Sequence, residues 1–233
     1  MNKLRGIVIV TTTFVASLLF LPLYVVIRSD TFFYATARIW AKCMCKLGNV
    51  RLTITGNNTT QTEPRIYICN HRSLFDIPCV LASITDDIRI MYKNELNRIP
   101  VFGWILALSP FIAVNRADAK DAVASIDAAV EQIREGASVL LFPEGTWSTT
   151  RDVLPFKRGA VVLAVRSGKQ VIPVAISGTE KIVPPDTYTF TSGAVTISMG
   201  ENVIPPPLPG RTEEKQFTEE LRSKVIQLLQ TIE

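Results

Sequence analysis

From Gly6 to Ile27 the chain carries no charged residue and is built mostly of Ile, Val, Leu and Phe. Coiled as a helix, that run is about 30 Å long, enough to cross the hydrocarbon core of a bilayer. A cleaved signal sequence is the rival reading, but its apolar core is typically about 7–15 residues and ends in small residues. This run instead leaves through Leu21-Pro22-Leu23-Tyr24 into Arg28. A retained anchor is expected, with Pro22 leaving room for a kinked or re-entrant path. Lys3 and Arg5 precede the run and Arg28 follows it, so charge sets no orientation.

The next stretch, Phe32 to Leu47, places Arg38, Lys42 and Lys46 at steps of four, along one face of a helix. A basic amphipathic helix at an anionic lipid surface has this pattern, and so does an ordinary helix packed on a domain. Composition bears on the choice: 47% of the chain is hydrophobic, 20% is charged, and the mean hydropathy is +0.24. Membrane contact is the simplest account of so apolar a chain, and the net charge of +4 is modest. The basic residues gather beside the apolar segments rather than in an aromatic-studded patch, which excludes nucleic acid as the expected partner.

Cys43 and Cys45 are separated by one residue, Cys69 and Cys79 stand alone, and the chain has a single histidine. No zinc spacing results, so no metal is expected. Four cysteines form no disulfide framework in a chain of this size, and a reducing, cytosol-facing setting follows.

Beyond the anchor, strand and helix patterns alternate. Strands are expected at Val50–Thr55, Arg65–Cys69, Ile88–Tyr92, Phe111–Val114, Ser138–Phe142 and Val171–Ile176, with turn chemistry at Gly56-Asn57-Asn58. Helices are expected at Ser73–Ile84, Val101–Leu108, Asp118–Glu135 and Phe156–Arg166, and from about Glu213 to Leu229. In the third of these Asp118 caps the start and Gly136 the end. After Gly178 the prolines at 184–185 and 205–207, with a short strand at Ala194–Met199, read as edge and loop signals. The fold class is α/β: a largely parallel mixed sheet flanked by helices, preceded by a membrane-associated helical segment.

Such sheets carry their sites at the carboxyl ends of the strands. The single histidine stands there, in Asn70-His71-Arg72-Ser73-Leu74-Phe75-Asp76, and a second polar cluster, Phe142-Pro143-Glu144-Gly145-Thr146-Trp147-Ser148, follows another strand. An imidazole that takes a proton from a hydroxyl needs a fixed tautomer, which a carboxylate on its other nitrogen supplies. Asp76 can fill that role if the chain turns into a helix at Ser73. Ser73-Leu74-Phe75-Asp76 is equally a capping-box-like sequence, in which Asp76 serves only a backbone N–H. A serine hydrolase is excluded because no Gly-x-Ser-x-Gly elbow is present.

These residues resemble the glycerophospholipid acyltransferases, and within them most closely the 1-acylglycerol-3-phosphate acyltransferases. His71 and Asp76 match that family's Asn-His-x-x-x-x-Asp motif, and Pro110-Phe111-Ile112-Ala113-Val114-Asn115-Arg116 resembles its second. Phe142-Pro143-Glu144-Gly145-Thr146 matches the third motif and Val171-Ile172-Pro173-Val174-Ala175 the fourth, in order along residues 50 to 178. Lys157 in Leu154-Pro155-Phe156-Lys157-Arg158-Gly159 also fits, as does Lys93-Asn94-Glu95-Leu96 leading to Pro100-Val101-Phe102-Gly103.

The anchor and amphipathic helix are expected over 1–48, and the resemblance implies an acyltransferase domain over 49–233. It implies transfer of a fatty acyl group from acyl-CoA or acyl-ACP to the free hydroxyl of 1-acyl-glycerol-3-phosphate, giving phosphatidic acid in phospholipid biosynthesis. His71 would be the general base and Asp76 its partner. Arg116, Glu144, Gly145, Thr146 and Lys157 would hold the acceptor: Arg116 and Lys157 by charge, Gly145 by close backbone approach, and Glu144 through a glycerol hydroxyl or Arg116. The thioester is a co-substrate, and no cofactor is expected. The partners are lysophosphatidic acid, the thioester with its acyl carrier protein if that is the carrier, and a membrane lipid surface. The catalytic domain would face the cytoplasm, at the inner membrane if the source is bacterial. A lipid-binding protein that kept this fold without the reaction is the alternative from another class.

Three positions depart from the family pattern. Trp147 stands where an arginine is common, Pro110 where a glycine is usual, and Ile176 where a proline is frequent. The first removes a charge beside the expected phosphate site, which points to an acceptor with a larger head group or a lyso-aminolipid unless Arg151 or Arg158 supplies the charge.

Overall fold

The fold is known from a computed structural model that describes residues 2–56, 63–115, 119–148, 150, 152–185, 187, 189–207 and 209–233, with the side chains of residues 2, 3 and 119 left aside. In chain order the elements are α1 (Asn2–Ile27), α2 (Asp30–Leu47), β1 (Val50–Gly56), β2 (Ile66–Cys69), α3 (Asp76–Ser83) and β3 (Ile88–Lys93). A 3-10 turn (Asn94–Arg98) leads into α4 (Phe102–Leu108), followed by β4 (Ile112–Val114), α5 (Ala119–Arg134), β5 (Ser138–Leu141) and α6 (Gly159–Ser167). The chain closes with β6 (Val171–Ser177), α7 (Thr179–Ile182), β7 (Gly193–Met199) and α8 (Arg211–Ile232). Asn57, Asn58 and Asp118, expected to form a turn and a cap, lie outside the described residues.

The strands form one sheet in the order β1-β7-β6-β2-β5-β3-β4. Five of them, β2 to β6, run parallel, while β7 is antiparallel to β6 and parallel to β1. The sheet is therefore mixed and largely parallel, as expected. β7 is not the edge strand that its flanking prolines suggested, because it pairs with β1 on one side and β6 on the other. The prolines stand outside the strand, so both of its rows of backbone groups stay intact.

Both faces of the sheet are covered, and β2 shows how. Ile66 and Ile68 enter one core with Ala129, Ile133, Leu163, Leu221 and Val225 from α5, α6 and α8. Tyr67 and Cys69 point the other way, into a core with Met44, Cys79 and Val80 from α2 and α3. The two-residue period of a strand sends alternate side chains to opposite faces, and a strand buried on both faces reads as a continuous apolar run. At the amino ends of the strands, Arg65 and Asp86 form a buried ion pair at 3.1 Å, joined by the Tyr67 hydroxyl at 2.8 Å.

α1 runs through Pro22 as a single helix. Its segment Leu4–Ile27 is long and apolar enough to cross a membrane. It also lies against α2: Ile9 joins the core beside Ala41, Met44 and Cys45, the Trp40 Nε1 donates to Thr13 Oγ1 at 3.4 Å, and Tyr24 packs on Phe33. The three cations expected along one face of α2 divide. Arg38 turns to the domain, bonding Asp87 at 2.6 Å and the carbonyls of Thr85 and Asp86, while Lys42 and Lys46 stay exposed. The forked guanidinium serves the ion pair and both carbonyls at once.

Two helices begin later than the periodicity predicts. α3 starts at Asp76 rather than Ser73, and α6 at Gly159 rather than Phe156. In each case the missing turn is spent on the loop above the sheet: the Ser73 amide goes to the Asp76 carboxylate, and the Lys157 amide to the Pro143 carbonyl.

Candidate active site

The carboxyl ends of β2, β5 and β6 adjoin because those strands are neighbours in the sheet. Asn70, directly after β2, extends the pairing with its side chain: its amide donates to Ile176 O at 3.0 Å, and its carbonyl oxygen accepts from Ile176 N at 2.8 Å. With Asn70 so fastened, the chain lifts away from the sheet at His71.

Asp76 is fully buried and accepts four hydrogen bonds. Its Oδ2 takes the His71 Nδ1 at 2.7 Å, the Arg72 amide at 2.8 Å and the Ser73 amide at 3.0 Å. Its Oδ1 takes the Thr179 hydroxyl at 2.5 Å. The two readings of the sequence, brace and cap, thus describe one side chain. A carboxylate only accepts, so Nδ1 bears the hydrogen, which in the neutral ring leaves the lone pair on Nε2.

The imidazole is held from its faces as well. Phe142 stacks on it with centroids 4.1 Å apart, and Trp147 meets it edge-on at 6.0 Å. Its side chain is 16% exposed, enough for one ring edge to reach a ligand. The Ser148 amide donates to the His71 carbonyl at 2.8 Å, binding the second polar cluster to the first.

Glu144 is buried, and both its oxygens go to backbone: Oε1 accepts from His71 N and Oε2 from Leu154 N, each at 2.7 Å. Among the described residues, it clamps the histidine loop to the segment before α6. Burial pushes its carboxyl above the usual glutamate range, and the two amides oppose that shift.

Gly145 has a positive φ of 75°, which favours glycine, and the space over its Cα is filled by Lys157, whose Nζ would lie 2.6 Å from an added Cβ. The missing side chain therefore makes room for the Lys157 side chain. Lys157 and Thr146 are exposed beside the histidine loop. Arg158 is exposed and paired with Glu214 at 2.7 Å. Arg116 and Arg151 lie outside the described residues. Among the described residues no three His, Cys, Asp or Glu side chains gather as metal ligands.

A groove of about 240 Å³ opens beside His71, lined by Ser73, Leu74, Trp147, Val183, Pro184, Pro185 and Thr187. None of these is charged. Sequence reasoning assigned no role to Asn70, Phe142 or Thr179. Thr179 stands two residues past β6, and the adjacency of β6 to β2, which would have pointed to it, is a property of the sheet order.

The model of the family described as Acyltransferase matches residues 51–177. Among curated proteins, the chain is 30% identical over 176 residues to a chloroplastic 1-acyl-sn-glycerol-3-phosphate acyltransferase of Brassica napus, spanning 76% of this chain and 49% of that one. It is 27% identical over 234 residues to a chloroplastic enzyme of the same name from Arabidopsis thaliana, spanning 96% and 64%. A 1-acyl-sn-glycerol-3-phosphate acyltransferase of Saccharomyces cerevisiae is 28% identical over 204 residues, spanning 85% and 66%. The chain thus spans from about half to just under two thirds of the length of these relatives. Among solved structures, the 1-acyl-sn-glycerophosphate acyltransferase PlsC from Thermotoga maritima superposes with a TM-score of 0.81 at 25% identity, covering 97% of this chain and 95% of that one.

Proposed function

The chain belongs to the acyltransferase family, and from that premise we propose that it moves a fatty acyl group from acyl-CoA or acyl-ACP to the free hydroxyl of 1-acyl-glycerol-3-phosphate. The product is phosphatidic acid. The observation that carries this reading is the His71–Asp76 pair, with Nδ1 committed to a buried carboxylate and the other ring edge open.

In the reaction, Nε2 takes the proton of the acceptor hydroxyl as its oxygen attacks the thioester carbonyl carbon. The tetrahedral intermediate collapses with cleavage of the carbon–sulfur bond. The departing thiolate takes back the proton from the imidazolium, leaving the new ester, the free thiol and a neutral ring. Asp76 stabilises the imidazolium that exists between these steps. Lys157 supplies a cation for the acceptor phosphate, with Arg116, which follows β4 by two positions in the chain, as its companion.

α1 associates the protein with the membrane in this reading. Its contacts with the domain at both Ile9 and Tyr24 favour a helix lying beside the domain in one leaflet, the catalytic domain facing the cytoplasm.

Trp147 and the groove beside it, whose described lining residues are uncharged, favour a second reading of the acceptor, a lysolipid with a neutral or cationic head group. The test is a panel of donors, acyl-CoA and acyl-ACP, against acceptors, lysophosphatidic acid and lysophosphatidylcholine. Turnover of lysophosphatidic acid at least about tenfold above lysophosphatidylcholine is expected. The reverse order gives the acceptor to the second reading, and no acyl transfer to either leaves a lipid-binding protein.

Thr179 is a positioning residue for the base, acting through Asp76 Oδ1. Thr179→Val keeps the shape and removes the donor, and a hydrogen bond to a charged group contributes about 1.5–3 kcal/mol. A fall in kcat of about tenfold with KM unchanged is expected, and Thr179→Ser restores it. A variant that melts earlier yet keeps its kcat contradicts this role.

A further inference from the structure

α4 has the sequence Phe-Gly-Trp-Ile-Leu-Ala-Leu, without one polar side chain, yet half of it faces outward. Gly103 and Leu106 are buried, while Phe102, Trp104 and Leu108 are 41%, 53% and 45% exposed, with Ile99 just ahead of them also exposed. A surface helix of a protein surrounded by water carries polar residues on its outer face, and a helix apolar all round belongs in a core or in lipid. α4 is only partly in a core.

Its orientation is fixed. Gly103 lies so close to the preceding 3-10 turn that a Cβ would come within 2.4 Å of Asn97 O, and Asn97 is itself held by the Tyr92 hydroxyl at 2.9 Å. Val101, at the joint, has a φ of 63°, a conformation that costs a β-branched residue energy and persists only where the surroundings enforce it. Trp104 and Leu108 are thus turned outward by a rigid seat.

The neighbour of α4 identifies what covers it. Ile105 packs on the aromatic cluster of Tyr24, Phe33 and Tyr34, with Phe20 beside them, so α4 adjoins the C-terminal half of α1. That half presents Leu19, Leu23 and Val26 outward. Both touching helices thus carry an apolar outer face, and exposed Arg98 stands at the approach to α4, where a lipid phosphate would meet it.

We propose that α4 is a second lipid-contacting element, entering the same leaflet as α1 with Trp104 at the interface and Leu108 among the acyl chains. The inference rests on the reading that α1 meets a bilayer, and the test separates the two. The full chain carrying Trp40→Phe and Trp147→Phe retains Trp104 as its one indole and is mixed with vesicles of phosphatidylcholine and phosphatidylglycerol brominated high in the acyl chain, next to the interface. Co-sedimentation reports on α1. Quenching of Trp104 by bromine, together with shielding from iodide, reports on α4 and is the expected result.

A sedimenting protein whose Trp104 is unquenched and open to iodide overturns the proposal alone. Shielding without bromine quenching also overturns it, and assigns the face to a second copy of the chain. Failure to sediment overturns both readings. Leu108→Lys in the otherwise unchanged chain gives an independent measurement, decisive if the two phenylalanines prevent folding: vesicle affinity at least about tenfold weaker is expected, and unchanged affinity contradicts the proposal.

Discussion

His71→Ala is expected to lower kcat for acyl transfer by about 10³-fold or more, with KM for the thioester and the lysolipid within about threefold of the unsubstituted protein. General base catalysis contributes about 10²–10⁴-fold, and the single histidine leaves the chain no second imidazole to substitute. The fold survives because Asp76 keeps three of its four donors, the Arg72 and Ser73 amides and the Thr179 hydroxyl. The lost stacking on Phe142 costs about 1 kcal/mol. Initial rates with purified protein, beside a thermal melt, check both halves. A variant that keeps more than a tenth of the rate removes His71 from the chemistry.

The second large effect is at Asp76, and here substitution can separate charge from structure. In Asp76→Asn the amide oxygen takes the place of Oδ2 and receives the same three donors. The NH2 takes the place of Oδ1, and the Thr179 hydroxyl turns from donor to acceptor. Every hydrogen bond keeps a partner, so the stability loss is modest, about 1–2 kcal/mol as charge-assisted bonds become neutral. What disappears is the negative charge that stabilises the imidazolium, and kcat is expected to fall about 10²–10³-fold. Asp76→Ala strands buried amides and is expected to be unstable in addition. If Asp76→Asn loses stability and activity only in proportion, the carboxylate is a cap and nothing more.

The parts of this site that could be read from the chain are those closed over short distances. His71 and Asp76 lie within one loop and one helical turn, so their spacing alone placed them in reach. The alternation of strand and helix likewise gave the architecture, because β2, β5 and β6 are apolar runs bounded by turn residues. Contacts that depend on sheet order were hidden. Glu144 satisfies the amides of His71 and Leu154 because β5 lies beside β2, and Thr179 reaches Asp76 because β6 lies on its other side. The same holds for β7, whose interior position follows from the arrival of β1 at the sheet edge, and for Arg38, drawn from the expected lipid face by Asp87. Gly145 illustrates a subtler limit: a glycine was visible there, but the path of the Lys157 side chain over its Cα is a matter of packing.

The central claim is that a braced imidazole delivers a lipid hydroxyl to a thioester. The direct measurement is single-turnover reaction of the purified, vesicle-bound chain with acyl-labelled thioester and lysophosphatidic acid, following released thiol and labelled lipid together. The account predicts one labelled phosphatidic acid for each thiol released, and loss of both in His71→Ala. Thiol released without labelled lipid, or a labelled lipid formed as fast by His71→Ala, would contradict it.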